Sequence, residues 1–406
     1  VMGFVGGLNE SEVTRTLMDG FGKTLGSIGI IIAFGTIIGV YLEKSGGAMA
    51  LANWVIKVIG KRNSVLAMNL TGFIVSIPVY CDSGFIILSS LNKAISKRSK
   101  IPLVVLGVSL AAGLYATHVF VPPTPGPLAA TAALEADLGL VILLGFVVAI
   151  PSALAGMFWA RYIGNKIGKK VTDDKDLDTV PQKLPKTSLA FAPIVVPIVL
   201  IALNSISMYP TLPFGEGKVS QLIQFIGNPV IALFIGVALS FQLKPKKVKD
   251  TQTHWVGEGL KQAGVIILIT GAGGAFGAIL RATGIGDFIG ESFSGMELGL
   301  LLPFIIAAVL KTAQGSSTVA IITTAAIIAP VLESFGLDTS MGRALAVLSI
   351  GAGAMTVSHI NDSFFWVVAQ FTEMDTPTAL KSQSMATLVQ GLVGIGVVMG
   401  LGVVLL

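Results

Sequence analysis

The sequence predicts an all-α integral membrane protein made of two inverted-topology repeats, each with a re-entrant helical hairpin and a discontinuous helix. Composition, the placement of basic residues and an internal repeat lead to that reading. Hydrophobic residues are 53% of the 406 and charged residues only 12%, against about 25% charged in a soluble chain; the mean hydropathy is +0.83. The 48 glycines suit helix packing in lipid, where close backbone approach and van der Waals contact replace the hydrophobic effect. This balance argues against a soluble enzyme on a membrane anchor. One cysteine, Cys81, gives no disulfide framework. That cysteine and three histidines show no ligand spacing, so no metal or cofactor is expected. The basic residues lie in short loops without interleaved aromatics, so the expected partner is the lipid bilayer and no nucleic acid.

The chain opens at Val1 inside an apolar stretch, Val1 to Leu8, and reads as trimmed, with an upstream scaffold helix as one possible missing element. A crossing helix needs roughly 20 apolar residues; stretches near 24–42, 140–160, 189–209, 218–242, 260–280 and 384–406 meet this. The linker 161–188 carries Arg161, Lys166, Lys169, Lys170, Lys175, Lys183 and Lys186, and the one after 242 carries Lys244, Lys246, Lys247 and Lys249. Both are expected on the cytoplasmic side. With Lys44, Lys57–Arg62, Lys93–Lys100, Lys261 and Lys381, 21 of the 27 Lys and Arg then share that side.

The interval between Arg62 and Lys93, broken by Pro78-Val79-Tyr80-Cys81-Asp82-Ser83-Gly84, is too short for two crossings. It reads as a hairpin, about 64–92, dipping in from the cytoplasm. A second hairpin, 298–334, is broken at Gln314-Gly315-Ser316-Ser317 and has Glu291, Glu297, Glu333 and Asp338 at its ends, so it enters from outside. The runs 101–136, broken by Pro122-Pro123-Thr124-Pro125-Gly126-Pro127, and 341–371, broken by Ser358-His359-Ile360-Asn361-Asp362-Ser363, each read as one discontinuous crossing helix. Irregular backbone at that depth is tolerated only where protein or a wet cavity satisfies it, so the breaks locate a site.

A shift of 238 residues aligns Gly35, Gly39, Leu42 and Gly46 with Gly273, Gly277, Leu280 and Gly284, and a shift of 241 aligns Ala111, Thr117 and His118 with Ala352, Ser358 and His359. The element order also repeats: GxxxG helix, amphipathic segment, hairpin, broken helix. The expected divisions are a first repeat over 1–160, a linker and helical pair over 161–258, and a second repeat over 259–406. Inverted repeats whose discontinuous helices meet at midplane are the architecture of secondary transporters.

The strings GFIVSIPVYCDSGF, LAAGLYATHVFVPPTPGPLAA, LKTAQGSSTVAIITTAA and GAGAMTVSHINDSFFW resemble the gluconate permease family, GntP-type gluconate:proton symporters of the broader ion-transporter superfamily, over essentially the whole chain. The resemblance implies a homodimer of elevator type, moving a small carboxylate such as gluconate with protons in preference to sodium. Many members have bulky aromatics just before the hairpin carboxylate, where this chain has Tyr80-Cys81-Asp82-Ser83. A shorter hydroxy acid such as glycerate, or D-serine, therefore stays open.

A helix N-terminus offers unpaired amides and partial positive charge to a carboxylate. Four such ends are expected, near Ser83-Gly84, Gly126, Ser316-Ser317 and Asp362-Ser363, converging on one cavity. Thr124, Ser316, Ser317 and Asn361 would reach substrate hydroxyls, or serve only as helix caps; Gln314 and Gly315 lie at the same tip. Asp82 and Asp362 are costly at midplane, hence candidates for substrate contact and for the coupled proton, or structural caps. His118 and His359, at equivalent repeat positions, are further proton candidates, or helix-end histidines bonded to loose carbonyls; His254 is expected in a solvated loop. Lys311, one helical turn before the Gln314 break, would meet the substrate carboxylate, snorkel, or pair with Asp82 or Asp362. Cys81 reads as a packing residue. The rivals are an intramembrane enzyme with Asp82 and Asp362 as a dyad, and a channel.

Overall fold

The computed structural model describes residues 1–60, 63–167, 184–208, 214–215, 217–243, 251–283 and 299–406. Several sequence expectations lie outside those residues: Lys61 and Arg62, most of the first linker, Lys244 to Lys249, Gly284, Glu291 and Glu297.

After a short α1 (Met2–Val5), helix α2 (Glu10–Lys44) begins at a capping box. Asn9 accepts from the Glu12 amide and the Glu12 carboxylate accepts from the Asn9 amide, each at 2.9 Å. The expected span at 24–42 is the inner part of this 35-residue helix. Helix α12 (Thr251–Ala282) runs antiparallel beside it: Gly274 backs onto Thr24, Gly259 onto Ile37, and Lys44 pairs with Glu258 at 3.2 Å. These helices carry Gly35 and Gly39 and their matches Gly273 and Gly277, so the two matched segments run in opposite directions.

The first copy continues through α3 (Gly47–Ile59) to two arms, α4 (Ser64–Val75) and α5 (Cys81–Ser99), and then to two half-helices, α6 (Leu103–Phe120) and α7 (Pro125–Ala133). In the second copy the arms are α13 (Leu301–Gln314) and α14 (Ser317–Ile328), and the half-helices are α15 (Ser340–Met355) and α16 (Ser363–Phe371). First arms lie on first half-helices, α4 on α6 and α13 on α15. Second arms touch their own first half-helices and also reach the other copy's second half-helix, α5 to α16 and α14 to α7. Half-helices of nine residues bury too little alone, so each is completed by the other copy's hairpin. Asn69 ties α4 to its neighbours, donating to the Ser109 and Ala153 carbonyls at 2.9 and 3.1 Å. Gly113 allows this approach, since a Cβ there would lie 1.9 Å from the Asn69 carbonyl oxygen.

Helices α8 (Leu138–Ile167) and α18 (Met385–Leu405), the latter preceded by a short α17 (Thr376–Ala379), follow the broken helices and pack on each other. Between the copies stand α9 (Thr187–Ser207), α10 (Lys218–Ile226) and α11 (Pro229–Ser240). The expected span at 218–242 is a bent pair of helices, α10 and α11. It bends by 63°, because Pro229 starts a new helix at its first position and Asn228 caps it by accepting from the Val230 amide at 3.0 Å. Among the described residues five helices are long and apolar enough to cross a membrane, or up to seven if each of two bent pairs is one span.

Candidate functional site

Helix geometry leaves the first amides of each helix without intrahelical partners, so the true start of each half-helix decides what it can hold. Helix α5 begins at Cys81, two residues before the expected Ser83, because Tyr80 takes the cap position and the Gly84 amide already donates to the Tyr80 carbonyl at 2.8 Å. The leftover amides are those of Cys81, Asp82 and Ser83. Gly84 is a packing position instead, since a Cβ there would lie 2.7 Å from Leu114 Cδ2. Helix α7 starts with Pro125, Gly126 and Pro127. Two prolines carry no N–H, so Gly126 alone offers an amide, and it sits against Ile321 and Thr318 of α14. Thr124 donates its hydroxyl to the Val121 carbonyl at 2.7 Å. Ser316 caps α14, accepting from the Val319 amide at 3.3 Å, and leaves the Ser317 and Thr318 amides. Asp362 caps α16, accepting from the Phe364 amide at 3.0 Å.

The four ends meet in pairs. At one, the Ser363 hydroxyl lies 3.4 Å from Asp82 Oδ1; at the other, Gly126 meets α14. A shallow cleft lies beside the first break and hairpin tip, lined by Gly35, Thr36, Tyr80 and Thr124 among others. It reaches Thr124 alone of the expected contacts, so a single cavity collecting all four ends is not what this cleft provides. Packing explains the pairing: the second arms cross to the opposite copy, which sets the starts of α5 and α16 together and those of α7 and α14 together.

Lys311 is buried, 1% exposed, and its Nζ lies 2.6 Å from Asp362 Oδ2. It also donates to the Gly315 carbonyl, and the Ser358 hydroxyl donates to the same Asp362 oxygen. Of the three fates the sequence left for Lys311, it takes the carboxylate pair; snorkelling is ruled out by its burial. Gly315 has φ 85° and a Cβ there would lie 2.2 Å from the Asn361 carbonyl oxygen, so the turn demands glycine for both reasons. Asn361 Nδ2 donates to the Thr312 carbonyl at 2.9 Å, and His359 Nε2 lies 3.1 Å from that oxygen. Gln314 and Ser316 are exposed and Ser317 is buried.

The histidines are not structurally equivalent. Helix α6 continues through His118 to Phe120, whereas α15 ends at Met355, so His359 falls in the loop. His118 is buried, its ring stacked with Tyr115 at 6.4 Å between centroids, and Nδ1 has no partner among the described residues. Cys81 is buried with Sγ 3.8 Å from Asp82 Oδ2. Sequence reasoning passed over Tyr115, whose hydroxyl donates to the Ala354 carbonyl at 3.3 Å and so joins the two first half-helices. A phenol inside an otherwise apolar run was the available signal, since a buried hydroxyl needs a partner. Val357 has φ 50°, an outlier for a β-branched residue, which marks the α15–α16 loop as held by its surroundings. Among the described residues no group of three or more His, Cys, Asp or Glu is placed to hold a metal ion.

The family model of GntP family permeases matches residues 1–404. The chain belongs to the GntP permease family. This permease is 37% identical to an uncharacterized permease of Haemophilus influenzae over 91% of this chain and 78% of that one. It is 33% identical to a gluconate permease of Pseudomonas aeruginosa over 100% and 91%, and 31% identical to the Gnt-II system L-idonate transporter of Escherichia coli over 97% and 91%. Its fold is similar to that of the Alcanivorax borkumensis YdaH transporter, with a TM-score of 0.70 and 14% identity over 97% and 90% of the two chains. The permease is thus a multi-pass membrane transport protein and not an enzyme. The dyad reading of Asp82 and Asp362 also meets a chemical obstacle, because both Asp362 oxygens are already engaged.

Proposed function

We propose that this permease is a symporter that imports a small sugar acid, such as gluconate, together with a proton carried by Asp82. The observation that carries this is the difference between the two carboxylates at the breaks. Asp362 is neutralised by Lys311, whereas Asp82 has no ion-pair partner among the described residues and meets the Ser363 hydroxyl, the Cys81 thiol and its own backbone amide. An anionic substrate docked on the leftover amides of α5 and α16 lies against this carboxylate. Two like charges at membrane depth repel strongly, so Asp82 has to be protonated before the anion binds. One proton then travels with each substrate by charge balance. Ser363, Ser83, Asn361 and the hairpin-tip groups Gln314, Ser316 and Ser317 supply hydroxyl and amide partners for a polyol chain. The relatives that transport gluconate and L-idonate support the substrate class.

The same proposal includes the repeat divisions 1–160 and 259–406 about the segment 161–258, and a homodimer working as an elevator. Antiparallel α2 and α12 support the inversion, as do ion pairs that join only residues assigned to one side: Lys23–Glu135 and Arg343–Glu135 outside, Lys44–Glu258 and Lys93–Glu373 inside.

Proteoliposome uptake of labelled gluconate under an imposed pH gradient tests this reading, with L-idonate, glycerate and D-serine as competitors. Saturable accumulation against the gluconate gradient, collapsed by a protonophore, is expected. Accumulation driven by a sodium gradient alone, or uptake that never exceeds equilibration, would overturn it.

A further inference from the structure

Lys311 and Asp362 are the two Asp, Glu, Lys or Arg side chains found buried among the described residues, and they are paired with each other. An ion pair at such depth is costly to desolvate and persists only where further hydrogen bonds complete both partners. Both are completed here, and each contact joins the second hairpin to the second break. The ammonium also takes the Gly315 carbonyl at the end of α13, and the carboxylate takes the Ser358 hydroxyl and the Phe364 amide. Around them Asn361 and His359 reach the Thr312 carbonyl, one of those α13 leaves unpaired, and Gly315 closes on the Asn361 backbone. The residue after Asp362 is Ser363, whose hydroxyl faces Asp82 of the first hairpin.

We propose that Lys311 and Asp362 form a charge-neutral clasp that makes the second hairpin tip and the α15–α16 break one rigid body, and that this clasp sets Ser363 against Asp82. Lys311 is then a positioning residue, not the ligand of the substrate carboxylate. Only the last link, from Ser363 to proton carriage, rests on the symport reading. The ionisable groups around Asp82 are Asp362 and Lys311 from the clasp, Tyr115 and His118 from α6, and Tyr80 and Cys81 from its own hairpin.

A double-mutant cycle on the purified full chain tests the clasp, using Lys311→Met, Asp362→Asn and the two together. Each single change strands a buried charge; the double removes both. Each single variant is expected to lower the melting temperature without substrate and to cut gluconate uptake at least tenfold. The double variant is expected to melt above either single one and to transport at least tenfold better than the product of the two single losses. Losses that multiply in the double variant overturn the clasp. So does a Lys311→Met protein with unchanged melting temperature and weakened apparent affinity that Asp362→Asn leaves unrepaired, which is the signature of a substrate ligand. Ser363→Ala tests the last link without disturbing a buried charge. It removes a hydrogen bond that favours the ionised Asp82, so the pH midpoint of uptake is expected to move toward higher pH with melting temperature unchanged. An unmoved midpoint overturns the positioning of Asp82. Failure of pH-driven uptake in the unmodified protein would count against symport alone, since the melting cycle does not depend on it.

Discussion

The Ser363 hydroxyl lies 3.4 Å from Asp82 Oδ1, joining residues 281 positions apart at the facing starts of α16 and α5. Each helix start leaves amides that attract an anion, and the carboxylate placed there repels one until it takes up a proton. On the symport reading proposed above, a sugar acid therefore binds here only once Asp82 is protonated.

Replacing that carboxylate should separate the two. Asp82→Asn is expected to abolish accumulation driven by a pH gradient while preserving exchange of gluconate across the bilayer. In the unmodified protein, apparent affinity should fall as pH rises, because the ionised Asp82 repels the anion; in Asp82→Asn it should be flat with pH. Counterflow in proteoliposomes at several pH values reads both. Gradient-driven accumulation that survives the substitution moves the proton to another group, with His118 and His359 next to examine.

Gly315→Ala should be destabilising out of proportion to one methyl group. The left-handed backbone costs about 1 to 2 kcal/mol for a residue with a Cβ, and the added atom meets the Asn361 carbonyl. A melting curve in detergent checks this. Ala tolerated at full stability would mean the hairpin turn and the break do not close on each other.

Exposed pairs should behave differently from the buried one. Lys93 and Glu373 are 2.7 Å apart but 34% and 68% exposed, so Lys93→Gln is expected to change stability by at most about 1 kcal/mol. Loss of one partner from the Lys311–Asp362 pair, by contrast, is expected to cost about 3 to 5 kcal/mol. Chemical or thermal denaturation of Lys93→Gln beside Lys311→Met makes the comparison. Equal losses would show that burial is not what separates the two pairs.

Orientation can be read with single cysteines in a Cys81→Ser background, since Cys81 is the one cysteine. Lys57 and Glu333 are exposed and assigned to opposite faces. An impermeant thiol reagent applied to intact cells should modify Glu333→Cys and leave Lys57→Cys untouched until the membrane is opened. Modification of Lys57→Cys from outside would reverse the sense of both hairpins.

Much of this was legible in one dimension because the signals are local. Pro122-Pro123 interrupts a helix within an apolar run and the polar string Ser358 to Ser363 favours caps over a helix interior, so the breaks could be placed from sequence, and the caps Thr124, Ser316 and Asp362 stand near where that reading put helix starts. Charge asymmetry and the glycine register gave the two-copy order by the same local logic, while at 218–242 hydropathy concealed what Asn228-Pro229 imposed. The partners of the buried charges were of another kind. Sequence left Lys311 three fates and treated Asp82 and Asp362 alike, because the cost of a buried charge depends on what lies within a few ångströms of it. Only the packing of α13 on α15 put Lys311 on Asp362, and only the approach of α5 to α16 set Asp82 against a hydroxyl. Pairing of this kind depends on distance through space, which hydropathy and spacing along the chain do not encode.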